Sequence, residues 1–183
     1  PIPRTLQMSL MGARDLSMLK TPPKERQPID TIIMDFDEGR IREAILREVD
    51  RGGQVFFVHN RVESIGIMLS RLQKLLPEVR FGLGHGQMNP RDLERVMLGF
   101  FHKEFDVLLS TTIVESGLDI PNANTLIVNR ADAMGLSQLY QLRGRVGRSH
   151  RKAWAFFIAP GFRKLSVNAI RRLNALERHA HYG

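Results

Sequence analysis

Short β-prone runs recur along the chain with helical stretches between most of them. The runs are TIIMDF (31–36), QVFFVHN (54–60), VRFGL (79–83), FDVLLS (105–110), TLIVN (125–129) and AWAFFIA (153–159). QVFFVHN is continuously apolar rather than alternating, the pattern of a strand covered on both faces. Ile41, Ile45 and Val49 share one helical face, and Gly52-Gly53 ends that helix. Val62, Ile65, Met68, Leu69, Leu72, Leu75 and Leu76 repeat at helical spacing as far as Pro77. Asn89 followed by Pro90 is a strong helix start, with Leu93, Val96, Met97 and Phe100 as the apolar face behind it. A further helix is expected from about Leu136, and a basic one over about 162–179 carries Leu165, Ile170, Leu173 and Leu176. Strand and helix in alternation, joined by short connections, predict an α/β fold: a parallel sheet with helices on both faces. Right-handed crossovers then put functional loops at the carboxyl ends of the strands.

The chain of 183 residues is long enough for one well-cored domain and a small appendage. It opens Pro1-Ile2-Pro3-Arg4 without an initiator methionine, which suggests a piece of something longer, and residues 10–30 read as a connector. No apolar run reaches the length of a membrane span, and no signal-peptide pattern opens it. With no cysteine, disulfides and thiolate chemistry are excluded, and a reducing cytoplasmic setting is expected. The 27 Lys and Arg against 19 Asp and Glu leave a formal charge of +8, a field that favours polyanions.

A complete nucleoside triphosphatase is not encoded. The phosphate-cradling pattern GxxxxGK[ST] is absent, and GLGHGQM (82–88) has no lysine and hydroxyl in the required places. Asp37 and Glu38 follow an apolar strand as magnesium-binding acids do, but they also suit the opening turn of the next helix, near its positive dipole end. The six histidines are scattered, no metal site is expected, and no nucleophile-elbow pattern supports a Ser/His/Asp triad.

Three loops remain. Gly84-His85-Gly86 is either a plain turn or a place where backbone N–H groups and a helix amino end meet an anion. In STTIVESGLDIP (110–121), Thr111 and Thr112 can bond nucleic-acid phosphate, while Asp119 can accept from a ribose hydroxyl or orient an arginine. The same hydroxyls can instead cap a short helix. The third loop, QLYQLRGRVGRSHRK (138–152), holds five cationic side chains and no acid, with Gly144 and Gly147 between Arg143, Arg145 and Arg148. Arginine forks match phosphate oxygens, and they are expected to emerge together at one sheet edge.

These loops, in this order, resemble the motifs of the second RecA-like lobe of superfamily 2 helicases and translocases. Gln141-x-x-Gly144-Arg145-x-Gly147-Arg148 matches the QxxGRxGR motif, and Thr111 to Pro121 matches TT-x-x-E-x-G-x-D-x-P before it. His85-Gly86 and the strand ending at His59-Asn60 fit two earlier motifs, and Pro1 to Leu6 resembles the tail of the segment that closes a first lobe. Two groups share GLxQLxQLRGRVGR: the fork-remodelling helicases called RecG and the bacterial transcription-repair coupling factors. Gly12-Ala13-Arg14-Asp15-Leu16-Ser17, Thr21-Pro22-Pro23, Arg42 to Glu48 and Gly84 to Met88 resemble the coupling factors.

The resemblance implies a connector over 1–28, a RecA-like lobe over 29–160, and the first arm of a truncated translocation hairpin over 161–183. It implies ATP with Mg²⁺ in a cleft between two lobes, with the phosphate loop and magnesium-binding acids supplied by the first. Arg145 and Arg148 would reach the γ-phosphate as fingers, and Gly117, Asp119 and Gln141 would line the nucleotide side. Asn60, His85, Gly86, Thr111 and Thr112 would grip double-stranded DNA, while Glu115 and Arg172 would couple the two sites. RNA polymerase and excision-repair proteins would be partners through other domains.

Overall fold

A computed structural model describes residues 28–112 and 119–179. Among them six strands are paired throughout in parallel: β1 (Ile29–Met34), β2 (Gln54–His59), β3 (Phe81–Gly84), β4 (Val107–Ser110), β5 (Ala123–Asn129) and β6 (Ala153–Ile158). Their order across the sheet is β1-β6-β5-β2-β4-β3. Five α-helices accompany them: α1 (Glu38–Asp50), α2 (Val62–Leu75), α3 (Pro90–Phe101), α4 (Leu136–Arg143) and α5 (Val167–Arg178). The sheet is the expected one, a RecA-like parallel layer covered on both faces.

The period of two along each strand divides the core. Phe56, Val58, Leu108, Leu126, Val128 and Phe157 join the residues of α3, α4 and α5 on one face. Val55, Phe57, Leu109, Ile127 and Phe156 meet Ile41, Ile45, Ile65, Met68 and Leu72 of α1 and α2 on the other. Phe56 and Phe57 are both fully buried, which is why the β2 run needs no polar alternation. Each contributes about 1.5–3 kcal/mol by leaving water.

The acids after β1 belong to a helix start. Asp37 is the N-cap of α1 and its Oδ1 accepts from Arg40 N at 3.1 Å, with Glu38 in the first turn. Asp35 and Phe36, expected within the first strand, lie beyond its end at Met34. The last helix begins later than expected, at Val167, where the Ser166 side chain accepts from Ala169 N at 3.2 Å. Leu165 therefore packs from the turn before the helix.

Candidate functional site

Three neighbouring strand ends form a carboxyl edge. β4 lies between β2 and β3, with Val58 opposite Ser110 and Ser110 opposite Gly84, so Asn60, Thr111 and His85 leave the sheet side by side. Thr111 N–H donates to Gly84 O at 3.3 Å, extending the ladder one residue past the strand and seating the threonine loop against the glycine loop. Thr111 is buried and Thr112 half-buried. Asn60 is exposed at the mouth of α2, whose N-terminus has no side-chain cap. Gly86 is exposed, and a Cβ placed on it would meet nothing within 4 Å. The His85 N–H points at Met88 Sδ, 3.3 Å away, while Asn89 caps α3 by accepting from Arg91 N at 2.9 Å.

His59 holds this edge together. Its Nδ1 accepts from Asn129 Nδ2 at 3.1 Å, which leaves Nε2–H to donate to Ser64 Oγ at 2.7 Å. One imidazole thus ties the ends of β2 and β5 to the first turn of α2. Burial holds its pKa below the usual histidine range, and Arg61 nearby pushes in the same direction. The neutral ring suits this arrangement, because a protonated Nδ1 has no lone pair for the asparagine.

The arginine segment lies at the opposite edge. Functional loops were expected at the carboxyl ends of strands, but this segment runs into β6 and therefore sits at the amino ends. Ser149 Oγ donates to Asn124 Oδ1 at 3.0 Å, at the start of β5, and Arg151 Nη1 donates to Arg51 O at 2.9 Å, just before β2. A six-residue strand is about 20 Å long. The two groups of site residues are therefore separated by roughly the depth of the sheet, joined on one face by α4.

Geometry around the arginines follows from the small residues between them. Gly144 caps α4, with its N–H to Tyr140 O at 3.0 Å. Val146 is fully buried and pins the segment to the core. Gly147 has φ of +77°, and a Cβ there would stand 3.1 Å from Ile29 Cγ1, so both conformation and space favour glycine. The chain then presents Arg148, whose Nε donates to Gly144 O at 3.2 Å and whose Nη1 pairs with Asp119 Oδ2 at 3.4 Å. Of the two roles open to Asp119, orienting an arginine is the one this geometry displays. Arg145 is half-buried two residues past the end of α4, and Gln141 is exposed on that helix.

Arg143 departs from expectation. It does not emerge with Arg145 and Arg148; it is 7 % exposed and turns back under α5. Its Nη1 donates to Leu176 O at 3.0 Å and Nη2 to His179 O at 3.4 Å. Burial pulls its pKa below the usual arginine range, yet a cation at the carboxyl end of α5 meets the favourable end of that helix dipole. Tyr140 OH donates to Ala175 O at 3.3 Å beside it. Arg172 Nη2 reaches from α5 to Asp132 O at 2.8 Å, in the turn after β5. Glu115 and Gly117 lie outside the described residues, as do residues 1–27, where a connector was expected.

Among the described residues no group of three or more His, Cys, Asp or Glu could hold a metal ion. No described helix is long and apolar enough to cross a membrane. Residues that sequence reasoning did not single out are Asn129, Ser64, Asn124 and Ser149, which fix the two edges. Asn124 and Asn129, polar and buried near the two ends of β5, are the signal that could have found them.

Comparison with known proteins gives this arrangement a family. The family model described as helicase conserved C-terminal domain matches residues 31–150. The transcription-repair-coupling factor of Myxococcus xanthus is 54% identical over all 183 residues, and that of Escherichia coli (strain K12) is 52% identical over 176 residues, 96% of this chain. The chain spans 15% of the length of each of those relatives. Among solved structures, RecG bound to a three-way DNA junction matches with a TM-score of 0.72 and 31% identity, over 100% of this chain and 25% of that one. The C-terminal domain of the DEAD-box protein Dbp5 matches in fold, with a TM-score of 0.59 and 18% identity over 85% of this chain and 86% of that one. Of the two groups suggested by the arginine motif, the coupling factors share far more identity with this sequence than RecG does. The chain therefore belongs to the helicase conserved C-terminal domain family, as a second RecA-like lobe like that of the transcription-repair coupling factors.

Proposed function

We propose that this lobe is one half of an ATP-driven motor that moves along double-stranded DNA and, in its full-length protein, displaces stalled RNA polymerase so that excision repair can follow. The observation that carries the reading is the Asp119–Arg148 pair, held at the amino edge of a sheet whose carboxyl edge gathers Asn60, Gly84, His85 and Thr111. An arginine held by one carboxylate at 3.4 Å, with its side chain a third exposed, is oriented without being consumed. A γ-phosphate entering from the first lobe offers it a stronger, charge-assisted partner. Arg145 and Arg148 would then stabilise charge developing on the transferred phosphoryl group, while Asp119, Gly117 and Gln141 would line the nucleotide. ATP and its Mg²⁺ would be held mainly by the first lobe, because the sequence has no phosphate loop and the described residues hold no cluster of acids and histidines that could bind a metal ion.

At the other edge Asn60, His85, Gly86, Thr111 and Thr112 would contact backbone phosphates, positioning the duplex without reading its bases. Glu115 falls in sequence between residues of the two edges, and Arg172 ties α5 to the turn after β5, so both are assigned to coupling. The test is ATP turnover by the 183-residue chain alone and by a longer protein that includes the first lobe, each with and without duplex DNA. The lone chain is expected to show no turnover above background, since it has no phosphate loop, and the longer protein to show DNA-stimulated hydrolysis. Robust turnover by the lone chain would end this reading.

A further inference from the structure

An open cavity of about 360 Å³ lies at the amino edge of the sheet, beyond the arginine pair. Ile120 and Pro121, which follow Asp119, contribute to its wall, and Ser149 to Arg151, which follow Arg148, contribute the rest of that side. Phe101 and Lys103 close it from the end of α3. Lys103, His150 and Arg151 all line it, and no aspartate or glutamate does. Neither Lys103 nor His150 makes an ion pair or a side-chain hydrogen bond among the described residues. Two acids that neighbour lining residues in sequence have other contacts: Glu104 lies over Gly99, and Asp119 holds Arg148.

Lys103 also breaks a local rule. The N–H of Glu104 donates to Gly99 O at 2.8 Å and that of Lys103 to Phe100 O at 3.1 Å, the double bond that closes a helix in a Schellman motif. The residue at the left-handed position of that motif is usually glycine, and here it is lysine with φ of +62°. A strained position at a cavity rim points to a use for the side chain.

We propose that this cavity binds a small phosphate anion, inorganic phosphate or pyrophosphate, between Lys103, His150 and Arg151. Its volume falls within the range of small-ligand pockets, and Lys103 and Arg151 line it with no carboxylate among the lining residues. The inference is independent of the nucleotide reading, since it uses neither Arg145 nor Arg148.

The test is a titration of the ¹⁵N-labelled 183-residue chain with sodium phosphate, pyrophosphate and ADP, followed by amide shifts. Phosphate and pyrophosphate are expected to saturate and to move residues 101–104 and 149–151. ADP is expected to move them only through its terminal phosphate, so with the same residues affected as by pyrophosphate. Lys103→Gly is expected to weaken phosphate binding about tenfold, the effect of one charge-assisted contact. It should also raise the thermal midpoint by about 2–4 °C, by relieving the left-handed lysine. His150→Gln should weaken binding without that rise. Absence of saturation, full affinity in the folded Lys103→Gly protein, or shifts that centre on Arg145 and Arg148 and vanish with Arg148→Ala, would each overturn the proposal.

Discussion

Arg148→Ala, placed in a longer protein that carries both lobes, is expected to lower duplex-stimulated ATP turnover by about 10³-fold. Finger arginines in phosphoryl transfer contribute roughly 10³–10⁵ in rate, and the lower figure applies if Arg145 remains to share the charge. The loss should appear in kcat, because the contact strengthens as charge develops rather than on binding. Arg148→Lys should recover little of it, since an ammonium keeps the charge and loses the planar fork. Fold stability should hardly move. Arg148 is exposed, its ion pair with Asp119 spans 3.4 Å near the surface, and surface changes of this kind shift stability by about 0.5 kcal/mol at most. A large kinetic loss without a stability loss is the combination that marks a residue held ready for a ligand.

The second large effect is in the fold itself. Glu48 of α1 is 1% exposed, yet it is a carboxylate. It accepts from Arg51 through both Nε and Nη2, the latter at 2.8 Å, and from Thr125 Oγ1 at 2.8 Å. Arg51 Nη2 donates onward to Lys152 O at 2.6 Å, so one buried acid joins α1, β5 and the entry to β6. The same carboxylate occupies the space that a Cβ on Gly53 would need, which explains the glycine after the α1 turn. Glu48→Ala is expected to cost about 3 kcal/mol, the lower end for a broken buried pair, because Arg51 keeps partial access to water. Glu48→Gln should cost less, retaining an acceptor for Thr125 and losing the charge. Urea unfolding of the 183-residue chain measures both. A cost below about 1 kcal/mol for the alanine variant would mean that the network adds little to the native state. Since these contacts also anchor the amino edge, Glu48→Ala should loosen the ground on which Arg148 stands.

Much of the sheet was legible because each strand is an apolar run too short for a helix and bounded by turn residues. Boundaries moved where local chemistry decided them. β1 begins two residues earlier than TIIMDF suggests and ends before Asp35, since Asp37 is committed to capping α1. The motifs named the candidate site residues, and the strand runs around them already held the edge on which each stands, though the general rule of carboxyl-end loops pointed the other way for the arginines. Arg148 precedes a strand and Thr111 follows one, and that difference places them about a strand length apart. The inward turn of Arg143 was readable from spacing alone. Leu139, Leu142 and Arg143 stand at i, i+3 and i+4 on α4, and all three are buried. The charge of the surrounding row conceals that stripe. The partnership of His59 with Asn129 could not be read from sequence, because the two meet only when β5 lies beside β2.

On the proposed reading the amino edge serves ATP and the carboxyl edge serves DNA. The most direct measurement takes turnover and duplex affinity together, in the two-lobed protein, for Arg148→Ala and for the paired change Thr111→Val with Thr112→Val. Opposite patterns are expected: Arg148→Ala loses turnover and keeps its duplex affinity, while the threonine pair loses affinity and its salt dependence. If Arg148→Ala instead weakens DNA binding and leaves turnover intact, the arginines hold nucleic acid, and this lobe is a binding module rather than the wall of a catalytic cleft.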